Sequence, residues 1–161
     1  NPKQAEWIRQ IGEYSTLEGQ HLPNGTISFR SWMMAGFYPQ DSLGEQFEVW
    51  KNHLNRYVIS KENQEQILGL MDSILSQIKE PYSLFDREIS YSCNLIKLSV
   101  LFNGMINHQT QDLEKTCLLA EKISDDYEYL WLARNKRSGL DQSKRRLLIL
   151  KAFLKNWESL S

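Results

Sequence analysis

The sequence predicts an all-α protein, a helical bundle of about five to six helices with a long irregular, aromatic-rich segment near the N-terminus. Three observations predict it. From Ser42 onward, apolar residues recur at steps of three and four through almost every stretch. Capping residues and breakers such as Ser60, Pro81 and Gly139 divide those stretches into helix-sized pieces. The balance of 41% hydrophobic to 24% charged residues in 161 is too apolar for disorder and enough for a continuous core.

Pro2 to about Tyr14 reads as the first helix, because Pro2 suits a first-turn position and Ala5, Ile8, Ile11 and Gly12 line one face beside Trp7. From Ser15 to about Asp41 the periodicity breaks at Gly19, Pro23, Gly25, Gly36 and Pro39, and Asn24-Gly25 is a tight-turn dipeptide. The same segment holds Phe29, Trp32, Met33, Met34, Phe37 and Tyr38, too apolar a set for a solvated linker. Helical spacing resumes over Ser42 to Tyr57, with Leu43, Phe47, Trp50, Leu54 and Tyr57 on one stripe. Ser60 caps the next helix, whose inward face is Ile67, Leu70, Met71, Ile74, Leu75 and Ile78 before Pro81 ends it. Ser83 to Ile106 is apolar nearly all round in its second half, the pattern of a helix at the centre of a bundle.

Gln111 to about Lys136 is a long helix with Leu113, Cys117, Ala120, Tyr127, Leu130 and Trp131 inward, and Ile123 filling the gap left at Ser124. Asp141 to Ser159 follows, with Leu147, Leu150, Leu154 and Trp157 on its stripe. Between them Gly139 is placed to take the left-handed conformation that closes a helix. The whole, residues 1–161, is expected to be one helical domain. It lacks an initiator Met and is expected to be a segment excised from a longer chain.

No stretch reaches the roughly 18 uninterrupted apolar residues of a membrane span, so a soluble chain without a membrane partner is expected. A net charge of −1 excludes a globally basic nucleic-acid binder. Cys93 and Cys117, both near leucines, read as reduced core thiols, which favours the cytoplasm while leaving the compartment open. Without nearby histidines they make no zinc site, and no metal or cofactor is expected.

The chemistry-bearing residues form no catalytic pattern. His21, His53 and His108 are scattered, and no glycine-rich phosphate loop is present. The carboxylates Asp125, Asp126 and Glu128, and Glu45 with Glu48, lie within three or four residues of Lys122 and Lys51, as on a solvated helix face. Two surfaces stand as candidates for contact. Trp32, Phe37 and Tyr38 are suited to a sugar-stacking platform or a groove, although a loop capping the core uses the same residues. The basic run of Arg134, Lys136, Arg137, Lys144, Arg145, Arg146, Lys151 and Lys155 reads chiefly as a solvated face balancing the acidic stretch before it. The other reading is a nucleic-acid-binding patch, which the sequence disfavours.

The passage Tyr129-Leu130-Trp131-Leu132-Ala133-Arg134-Asn135-Lys136-Arg137-Ser138-Gly139-Leu140-Asp141-Gln142-Ser143 resembles a pattern near the C-terminal end of bacterial glycoside hydrolase family 20 proteins, the beta-N-acetylhexosaminidases. The shared features are Leu-Trp, Arg-Asn followed by a basic residue, Gly-Leu and Ser. In that family a helical region follows the catalytic barrel. The resemblance implies a non-catalytic C-terminal accessory domain of a carbohydrate-active enzyme, with the catalytic domain of the same polypeptide as partner and carbohydrate as a further ligand.

The family's adjacent Asp-Glu catalytic pair has no counterpart here, and a barrel of about 250 residues exceeds this chain. Read physically, Trp131 is expected to pack between helices, and Arg134 and Asn135 to satisfy the last carbonyls of one helix. Gly139 and Ser143 turn the chain and restart it. Contact of Arg134 or Asn135 with a neighbouring domain is the secondary expectation. The alternative, from a different class, is a free-standing interaction module acting through the basic 134–155 segment.

Overall fold

The computed structural model describes residues 2–18, 42–78, 83–109 and 112–160, and among them it contains helices and no strand. The helices are α1 (Pro2–Leu17), α2 (Leu43–Leu54), α3 (Lys61–Gln77), α4 (Leu84–Ile106), α5 (Leu113–Arg134), α6 (Leu140–Lys155) and the single turn α7 (Trp157–Leu160). The expected all-α bundle is therefore the observed fold. The aromatic segment holding Trp32, Phe37 and Tyr38 lies outside the described residues.

Local chemistry sets the helix starts. Ser42 and Glu45 form a reciprocal capping box at α2, each side chain bonding the other's backbone N–H at 3.2 Å. Ser60 and Ser83 accept from the third residue of α3 and α4 in the same way, at 3.2 and 3.1 Å. The expected final helix is divided at Asn156. Its side chain turns back to the Ala152 carbonyl at 2.8 Å, and its backbone N–H is used by the last turn of α6.

Helix α4 is the central wall of the bundle, as its all-round apolarity predicted; every residue from Leu98 to Ile106 is buried. It packs on α1, α2, α3 and α5 and divides the core in two. On one side Ile89, Cys93, Ile96 and Val100 meet Ile67, Met71 and Ile74 of α3 and Trp7 and Tyr14 of α1. On the other, Leu98, Phe102 and Met105 meet α2, α5 and α6 through Phe47, Trp50, Ala120, Ile123, Leu150 and Phe153. The second cluster centres on an aromatic knot. Phe153 lies 5.3 Å from Phe47 and 5.0 Å from Trp50, which in turn lies 5.0 Å from Phe102.

Two faces differ from their sequence reading. In α1 the buried residues are Trp7 and Tyr14, two turns apart, with Ile11 partly buried between them, whereas Ala5, Ile8 and Gly12 face out. Trp7 decides the rotation, because its ring covers far more apolar area than Ala5 or Gly12 and its indole N–H finds Gln77 Oε1 at 3.2 Å. In α5 the most buried residues are Thr116, Ala120, Ile123 and Ser124, with Leu113, Cys117, Tyr127, Leu130 and Trp131 only partly covered. Thr116 can be buried because its hydroxyl donates to the Asp112 carbonyl at 2.7 Å.

A buried polar clasp locks the α2–α3 connection onto α4. Asn103, fully enclosed, donates from Nδ2 to the Tyr57 carbonyl at 2.9 Å and accepts at Oδ1 from the Ile59 N–H at 3.2 Å. Gln64 then donates to the Ile59 carbonyl at 2.9 Å and also pairs with Gln109.

Candidate functional site

The passage from Trp131 to Ser143 forms the joint between α5 and α6. The Trp131 indole N–H donates to the Lys136 carbonyl at 3.0 Å, and the Trp131 carbonyl accepts both from the Asn135 N–H at 2.7 Å and from Asn135 Nδ2 at 3.2 Å. Asn135 therefore closes α5, as expected from its position. Ser143 donates its backbone N–H to the Gly139 carbonyl at 3.0 Å, within the first turn of α6.

Two expectations for the joint are corrected. Arg134 satisfies no helix carbonyl. Its guanidinium instead reaches across to α4 and grips Glu88 with two bonds, 2.5 and 3.0 Å, because a planar fork matches a carboxylate better than a lone carbonyl. Gly139 is left-handed, with φ of 91°, but it stands at the start of α6 and does not close α5. Its missing side chain is needed for that conformation only, since an added Cβ would meet the Trp131 ring at an ordinary 3.7 Å. Gly139→Ala should accordingly cost about 1–2 kcal/mol, the left-handed penalty, with the packing unchanged. Urea unfolding measures it.

A short aromatic row backs the joint. Tyr91 of α4, Tyr127 and Trp131 follow one another at 6.1 and 6.0 Å, and beside them Arg87 lies 4.4 Å over the Tyr129 ring.

Three of the eight residues of the basic segment are drawn into the fold. Lys144 pairs with Glu128 at 2.9 Å and Lys151 with Glu121, both across the α5–α6 contact, while Arg134 is committed to Glu88. Lys144 and Lys151 in this way balance two carboxylates of α5. Two of the carboxylates singled out above have equally local uses, Glu45 in the capping box and Asp126 with Lys122 at 2.6 Å, while Asp86 accepts from Gln4 of α1 at 3.1 Å.

The resolved titration shifts follow from these same local contacts and from burial. The Lys144 bond holds the Glu128 carboxyl below its usual range, and the bonds from Gln4 and Ser83 do the same for Asp86. Burial pushes the Cys93 thiol up to about 12 and raises that of Cys117. A general acid uses a raised carboxyl and a nucleophilic cysteine a lowered thiol, and none of these four groups, Glu128, Asp86, Cys93 and Cys117, is shifted that way. Among the described residues no three His, Cys, Asp or Glu side chains gather as metal ligands, and no helix is long and apolar enough to cross a membrane.

A groove of about 410 Å³ opens between α5 and α6, lined by Cys117, Ala120, Ala152 and Leu154 with Glu121, Lys151 and Lys155 at its edge. Sequence reasoning missed it. The signal was present in the small residues Ala120 and Ala152 at facing positions of two otherwise large-residue stripes.

Of the six candidate residues, Trp131, Arg134 and Asn135 thus come together at the joint, and Trp32, Phe37 and Tyr38 fall outside the described residues. Comparison of the chain with protein-family models, with curated proteins and with solved structures finds no match in any of the three.

Proposed function

We propose that this chain is a non-catalytic helical accessory domain of a carbohydrate-active enzyme of the N-acetylhexosaminidase kind, packing on the catalytic domain of the same polypeptide. The observation that carries the reading is the use made of the passage that resembles that family. Trp131, Arg134 and Asn135 spend their polar groups on Lys136, Glu88 and the end of α5, all inside the chain. They brace a joint and present no reacting group to a substrate. The titration directions of Asp86, Glu128, Cys93 and Cys117 are in keeping with this, since none of the four is tuned for proton transfer or attack.

The test is direct. Incubated alone with a chromogenic beta-N-acetylhexosaminide, the 161-residue chain should release chromophore no faster than buffer. Turnover above that rate by the pure chain, abolished on heating, contradicts the proposal.

A further inference from the structure

We draw no further inference here: the strongest candidate, the groove between α5 and α6 floored by Cys117, Ala120, Ala152 and Leu154, carries nothing, because Glu121 and Lys151 at its edge are already paired with each other and nothing in the structure shows what covers it.

Discussion

Phe153→Ala should cost about 3–5 kcal/mol, the range for removing a fully enclosed phenylalanine. Phe153 is wholly buried where α2, α4 and α6 meet, with Phe47 and Trp50 at 5.3 and 5.0 Å. Its loss removes the transfer energy of the ring and two edge or tilted ring contacts. It also leaves a cavity that neither neighbour can fill without leaving Phe102 or Trp157. Thermal unfolding should shift down by roughly 10 °C for a chain of this size. Ile8→Ala, a smaller deletion of apolar side chain at the surface, should stay within about 0.5 kcal/mol because Ile8 is 53% exposed. If the two variants melt together, the aromatic knot is not where the stability lies.

Asn103→Ala should be the second large effect, about 2–4 kcal/mol, by a different mechanism. The asparagine is completely buried and serves two backbone groups, the Tyr57 carbonyl and the Ile59 N–H, neither of which has helix partners to fall back on. Removing it strands a buried donor and a buried acceptor, each costing about 1–3 kcal/mol. Asn103→Leu should not recover the loss, since volume is not what is missing. Asn103→Asp is more telling. It keeps an acceptor for Ile59 N–H but can donate to Tyr57 only when protonated, and burial raises its folded-state pKa. Its stability is therefore best preserved at low pH and falls as pH rises through that pKa, a slope wild type lacks. Urea melts from pH 4 to pH 8, a window chosen to span the carboxyl range, would display it.

How far these features were legible in the sequence depended on distance along the chain. Helix starts were, because a cap needs only Ser42 and Glu45, or Ser60 and Asn63, three residues apart. The place of α4 at the centre was too, because its second half offers no polar face to solvent. The inward face of α1 was misread because two stripes competed, and the winner was set by what Trp7 meets on α3, Gln77, 70 positions away. At the joint, Asn135 could be placed from its neighbours, whereas Arg134 could not, since Glu88 lies 46 residues back. The Asn103 clasp was invisible for the same reason: in sequence it is a polar residue inside an apolar run, with nothing nearby to name Tyr57 and Ile59 as its partners.

Helix α4 supplies one wall to each of the two apolar clusters, so the stability of one should be communicated to the other. Native-state hydrogen exchange on wild type and Phe153→Ala tests this most directly. The amides of Ile89 to Ile96 in the first half of α4 and of Ile67 to Ile74 in α3 should lose the same protection as those of Leu101 to Met105 beside the deletion. That is the behaviour of one cooperative unit. If the α1–α3 side keeps its wild-type protection while the Phe153 side weakens, the two clusters unfold separately and α4 does not join them.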